Sequence, residues 1–187
     1  MRRGFKTEAE ATSQDLRREI GVGVHGPLDP LQLAAHLGIA VVRMDQLGTD
    51  AALIAAVRHL SGKGASDFSA LTVCEGTRRL VVYNPAHAPT RRANDITHEL
   101  SHVILGHAPQ TQMFLGCRKW EGDDEEEADW LSGCILVPGP AALTIARNKV
   151  DVAVAAARLG VSVALLRMRL NLTGATRRVA RAGARRW

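Results

Sequence analysis

Aromatic residues are scarce in this 187-residue chain, 4% against 46% hydrophobic overall, so a core must be built from Ala, Val, Leu and Ile. Cysteine is scarce too. Cys74, Cys117 and Cys134 form an odd, scattered set with no Cys-x-x-Cys pair. That argues against a disulfide framework or a cysteine metal site and for free thiols in a reducing compartment. Long apolar runs are also missing. The most apolar stretch, Val152 to Leu166, is interrupted by Arg158 and Gly160 and is too short to span a bilayer. The start, Met1-Arg2-Arg3-Gly4-Phe5-Lys6-Thr7-Glu8, is basic with no apolar stretch behind it, so no secretory signal is visible. These absences point to a soluble, cytoplasmic protein, long enough for one domain with a small appendage.

Acidic residues are missing from Arg167 to Trp187, where there are seven arginines, although the net charge of the whole chain is only +5. A solvated, partly disordered end is the plainer expectation; contact with nucleic acid or an acidic partner is the other.

Periodicity predicts helices over Glu8–Ile20 and from Asp29-Pro30 to Leu37, the second with aspartate at the N-cap, proline in the first turn and Gly38 at its end. Ile39 to Met44 reads as a strand. Ala51 to His59 is ambiguous, and the neighbouring strand signals favour a strand there. A hairpin follows, Leu71–Cys74 with Leu80–Tyr83, joined across Glu75-Gly76-Thr77-Arg78. Thr90 is expected to cap a helix from Arg91 to about Leu105, with Ile96, Leu100, Val103 and Ile104 as its core stripe. Gly106 and Pro109 end it. The next helix starts near Asp123 or Asp124, buries Ala128, Leu131 and Ile135, and stops before Pro138-Gly139-Pro140. Further helices run over about Ala141–Asn148, Val150–Leu159 and Val163–Leu170.

The chemistry lies in Thr97-His98-Glu99-Leu100-Ser101-His102. Histidines at i and i+4 share one helical face, so both imidazoles can reach one metal ion, and the glutamate beside the first lies near the metal's open position. Both are expected to face away from the core. A catalytic zinc site needs a third protein ligand. His107, the Asp123/Asp124 pair, Glu125, and Glu126 or Glu127 compete for that place. On a continued helix His107 would lie about 180° from His98. The longer motif with a third histidine needs glycine at 105 and histidine at 108, where Leu105 and Ala108 stand. Glu125 fits better, because Asp129 follows one turn later on the same face. One carboxylate can bind the metal while the other accepts the remaining N–H of a ligand histidine. Glu126 and Glu127 then belong to a solvated acidic face. Glu99 is the general base for a water attacking a peptide carbonyl. No motif locates the donor for the oxyanion; Tyr83, His87, Arg91 and Arg92 are the candidates for oxyanion or substrate contacts. The hairpin edge could hold an extended peptide by strand addition.

Residues Asn84-Pro85, Arg91-Arg92, His98 to His107, then Glu125, Ala128-Asp129 and Ile135-Leu136-Val137-Pro138 resemble the ImmA/IrrE family of bacterial metallopeptidases. The resemblance runs from about Pro30 to Leu170. It implies an α+β fold, a small mixed sheet with a zincin-type helical core and a C-terminal helical subdomain. It also implies zinc on His98, His102 and Glu125, with Glu99 as catalytic base. Such proteins typically cleave a helix-turn-helix repressor and so derepress a mobile-element or stress-response operon. At this length the chain resembles the compact antirepressor type, without a sensor domain. Two histidines and a carboxylate suit Zn²⁺ and accept Mn²⁺ or Fe²⁺.

The expected division is a peptidase core over 1–140 and a helical, helix-turn-helix-like extension over 141–187. Ala156 to Leu166 has the rhythm of such a motif. That raises the alternative of a DNA-binding regulator, or one that sequesters a repressor or toxin, with a structural metal. A reading helix needs polar side chains, and this one offers mainly Arg167 and Arg169, so packing is its expected role.

Overall fold

The computed structural model describes residues 1–48, 50–107 and 122–184. Helix α1 covers Phe5–Glu19 and α2 covers Pro30–His36. Asp29 caps α2, its carboxylate accepting from the Leu31 amide at 2.9 Å, and Pro30 opens the first turn. Strand β1, Ala40–Arg43, leads through a short 3₁₀ turn to α3, Ala51–Ser61. Here the structure corrects the expected strand. Four alanines favour the helix, and the Asp50 carboxylate accepts from the amides of Ala52 (2.9 Å) and Leu53 (3.2 Å). Helix propensity with a good cap outweighs the β preference of single Ile and Val residues.

Strands β2, Ala70–Glu75, and β3, Arg78–Tyr83, form the predicted hairpin. Gly76 takes the positive φ its tight turn requires. The sheet order is β1-β3-β2, with β1 parallel and β2 antiparallel to the central strand. The fold is therefore α+β with a small mixed sheet. Val81 and Val82 of β3 are almost fully buried, and helix α4, Pro89–Ile104, packs on β2 and β3. Its start differs from expectation. Pro89 occupies the first turn after Ala88, so Thr90 lies inside the helix rather than at its cap.

The remaining elements are helical: α5 Gly122–Leu136, α6 Gly139–Arg147, α7 Val152–Leu159, α8 Val163–Leu172 and α9 Ala175–Ala184. Within the arginine-rich end, Ala175–Ala184 form helix α9 where a solvated, partly disordered segment was expected, and Arg185, Arg186 and Trp187 lie outside the described residues. Helix α9 packs on α6 and α8, with Ala175 fully buried and Arg177, Arg178 and Arg181 exposed. Amphipathicity, which a count of charges does not register, explains the order.

Two compact units divide the chain. One is Asp29–Asp129 with Met1; the other joins Arg2–Leu28 to Trp130–Trp187. In this grouping α1 belongs with the C-terminal helices. Buried polar groups explain this within the second unit. The Arg17 guanidinium, fully buried, donates to the carbonyls of Ile135 (2.6 Å), Gly23 (2.9 Å) and Gly26. Burial draws its pKa down to about 10, so it stays charged at neutral pH. Glu10 accepts from the Gly139 amide at 2.9 Å and pairs with the fully buried Arg169, which also donates to Val137 O at 3.0 Å. Arg169 is thus a packing residue, unable to read a base edge as the DNA-binding alternative required.

Cys134 is a free thiol, and burial pushes its pKa up to about 12, which disfavours the thiolate. Cys117 lies outside the described residues. Among the described residues no single helix is long and apolar enough to cross a membrane.

Replacing Arg17 by methionine keeps most of the side-chain volume but leaves the carbonyls of Ile135, Gly23 and Gly26 without this donor. The expected loss is about 3 kcal/mol or more in denaturant unfolding. A loss below about 1 kcal/mol would show that these bonds do not hold the unit together.

Candidate metal centre

Helix α4 sets the site. Ile96 and Leu100 are buried on its core side, as expected, while Val103 and Ile104 are only half-buried. Thr97 and Ser101 are also buried, their hydroxyls donating to the carbonyls one turn back, Ala93 O at 2.7 Å and Thr97 O at 2.8 Å. His98 and His102 follow one turn apart. His98 is half-buried, and His102 is 1% exposed. A ring covers it from behind: His107 Nδ1 lies 2.9 Å from His102 Nδ1.

The acidic start of α5 supplies the third group. His98 Nε2 and His102 Nε2 are 3.0 Å apart, and Glu125 brings its oxygens to 3.3 Å from the first and 3.8 Å from the second. One ligand atom from each of these three residues lies within 4.8 Å of the others. Ligands about 2.0–2.1 Å from a tetrahedral metal ion lie about 3.3 Å from one another, and the observed 3.0, 3.3 and 3.8 Å, the last two to different Glu125 oxygens, lie near that spacing. The chemistry matches too, being two imidazole nitrogens and a carboxylate oxygen. Asp129 stands one turn beyond Glu125, its Oδ1 2.9 Å from His98 Nδ1.

Electrostatics favour a cation here. Burial disfavours the His98 imidazolium, but the Asp129 hydrogen bond and the charges of Asp129, Glu99 and Glu125 outweigh it and raise the pKa above the usual histidine value. Burial pushes His102 the other way, to about 3, helped by His98 and His107. His102 is therefore neutral at physiological pH, the form in which an imidazole binds a metal.

Sequence reasoning missed Thr72. Its hydroxyl donates to Glu99 Oε2 at 2.6 Å, and both residues are buried. Between Leu71 and Val73 a threonine reads as the solvent side of a strand, and only the packing of α4 on β2 reverses that. Glu127 is a correction as well. It was assigned to a solvated acidic face, yet its side chain is 9% exposed and 4.0 Å from His107 Nε2. Glu126, 59% exposed, is solvated as expected.

Of the four candidates for oxyanion or substrate contacts, three have the following polar contacts. His87 is buried, with Nδ1 3.2 Å from Asp95 and Nε2 2.7 Å from Ala65 O. Arg91 donates to Ser69 Oγ at 2.9 Å and Arg92 to Pro85 O at 3.1 Å. Tyr83 ends β3, half-buried, opposite Arg43 and Ala70.

Paired imidazoles one turn apart and a carboxylate from the following helix form a group that could hold a metal ion, with a glutamate beside the first histidine in the sequence. The model of the IrrE N-terminal-like domain matches residues 34–171. The chain belongs to the ImmA/IrrE family of metallopeptidases. No curated protein matches it. A solved structure described as a Mycobacterium tuberculosis transcriptional regulator aligns with a TM-score of 0.48 and 15% identity. The alignment covers 88% of this chain and 46% of that one, so the chain spans less than half of the regulator's length.

The two histidines act oppositely on metal-free stability. The unfolded chain binds a proton near pH 6.5 that folded His102 refuses, so its contribution is lost as pH falls from about 6.5 toward 3. His98, with a raised value, adds stability below 6.5 that disappears as pH rises through its folded pKa. In an NMR titration of the metal-free protein at pH 5, the His98 ring should carry the imidazolium signature while His102 remains neutral. A His102 midpoint near 6.5 would contradict this electrostatic picture.

Proposed function

We propose that the protein is a zinc-dependent endopeptidase that cleaves a helix-turn-helix transcriptional repressor in the cytoplasm and so derepresses a mobile-element or stress-response operon. The observation that carries the catalytic part is the gathering of His98, His102 and Glu125 donor atoms beside Glu99. His98, His102 and Glu125 would hold the ion, and Asp129 would fix the His98 ring by accepting from Nδ1. When bound, zinc supplies a Lewis acid that polarises the scissile carbonyl and brings the pKa of water to about 7.

Glu99 acts as the general base. Thr72 holds Oε2, which sets the plane of the carboxylate, and the carboxylate takes the proton of the attacking water and passes it to the leaving nitrogen. Burial of Glu99 strengthens its interactions with the reacting groups, since little water screens them. Strand β2 lies at one side of the sheet and carries Thr72, so an extended peptide paired along it would run past the same carboxylate. The repressor as substrate rests on the family alone. A sequestering protein would act without Glu99.

Incubation with the helix-turn-helix repressor encoded beside it should yield specific cleavage that a chelator abolishes. Glu99→Gln should retain one zinc per chain and lose cleavage by about 10²–10⁴-fold. Glu125→Ala should lose the zinc itself. If Glu99→Gln derepresses the operon as well as the native protein does, peptidase action is not the function. Thr72→Val, which removes the hydroxyl at nearly constant shape, should lower kcat more than it changes KM. Equal kcat would remove Thr72 from the mechanism.

A further inference from the structure

The geometry points to His107 as a positioning residue, the acceptor that fixes the ring of His102 and holds its Nε2 toward the metal. This rests on the reading of His98, His102 and Glu125 as zinc ligands and adds a residue to it.

The end of α4 creates the contact. Gly106 has φ +68°, the left-handed conformation in which the chain can reverse. Its amide donates to Val103 O at 3.1 Å and the His107 amide to His102 O at 3.0 Å. This pair of bonds is the Schellman arrangement, which sets the second residue beyond the cap against the third residue from the helix end. Those two positions usually hold an apolar pair. Here they are His107 and His102, and the two Nδ1 atoms lie 2.9 Å apart with the rings edge to face.

The proton positions follow from the ligand atom. His102 Nε2 faces His98 and Glu125, so a neutral His102 ligating through Nε2 carries its proton on Nδ1. That N–H donates to His107 Nδ1, which must then be unprotonated. The His107 proton sits on Nε2, which lies 3.6 Å from Asp124 Oδ1 and 4.0 Å from Glu127 Oε2. The two carboxylates favour that tautomer. Each ligand ring is thus backed at Nδ1, His98 by a carboxylate and His102 by a second imidazole. His107 therefore acts on the metal without touching it, and its displacement from the helical face of His98 is what its role requires.

Zinc affinity, measured by competition with a chelating dye on the full chain, tests this without any substrate. His107→Leu fills the space but cannot accept a hydrogen bond; it should weaken zinc binding by about tenfold or more. His107→Gln, whose amide oxygen can accept, should recover most of that loss. Wild-type affinity in His107→Leu would overturn the assignment while leaving the zinc reading intact. A wild-type chain that binds no zinc would overturn both. Should the leucine variant fail to fold, the wild type decides. With ¹⁵N-labelled histidine and zinc bound, a scalar coupling across the hydrogen bond between His102 Nδ1 and His107 Nδ1 supports the proposal, and its absence overturns it.

Discussion

Five ionisable side chains share a small volume on α4 and the first turns of α5. His98 and His102 have Nε2 atoms 3.0 Å apart, and Glu99, Glu125 and Asp129 surround them. Such crowding is costly in a folded chain unless opposite charges or hydrogen bonds offset it. In the metal-free protein a raised His98 pKa supplies part of the compensation, and a divalent cation would supply much more. The local design follows from this constraint. Thr72 and Asp129 bond the groups that would otherwise move, and α4 presses its apolar side onto β2 and β3. Asp129 remains largely exposed and Glu125 is 42% exposed, so both carboxylates reach solvent.

The second unit solves a different problem with similar means. Among the described residues a third of its buried apolar side chains are alanines, namely Ala9, Ala141, Ala142, Ala155, Ala156 and Ala175. Alanines bring helix backbones close but bury little area each, so apolar burial alone gives a modest return. Arg17 and Arg169 add directed bonds to carbonyls that a wider core would leave to water. Such bonds cost much when broken and favour one arrangement of helices over others. The arginines that a sequence count assigns to nucleic-acid contact are thus divided, some sealed inside and others, on α9, left on the surface.

Much of the first unit was legible because its signals are local. The Asp29-Pro30 start of α2, the hairpin around Gly76 and the i, i+4 histidines each depend on residues within a turn or two of one another. That Glu125 and Asp129 stand one turn apart on one face was legible for the same reason. Misreadings came where a local preference was weak or a distant packing partner decided. Residues 51–61 carry both helix and strand formers, and the cap at Asp50 settles the choice. Thr72 and Glu127 look solvated in sequence because alternation and charge say so, yet both are buried.

The sequence by itself determined the pairing of the two imidazoles, since a 3.6-residue period carries His98 and His102 to one face whatever surrounds the helix. It also determined where α4 stops, because Gly106 can adopt a conformation that other residues resist. Only the tertiary structure decided which groups complete the site. Thr72 meets Glu99 across 27 positions of sequence, and Asp124 and Glu127 approach His107 from another helix. Helix and turn rules act over a few residues, whereas these contacts depend on how α4 lies against the sheet and against α5, which no short-range pattern encodes.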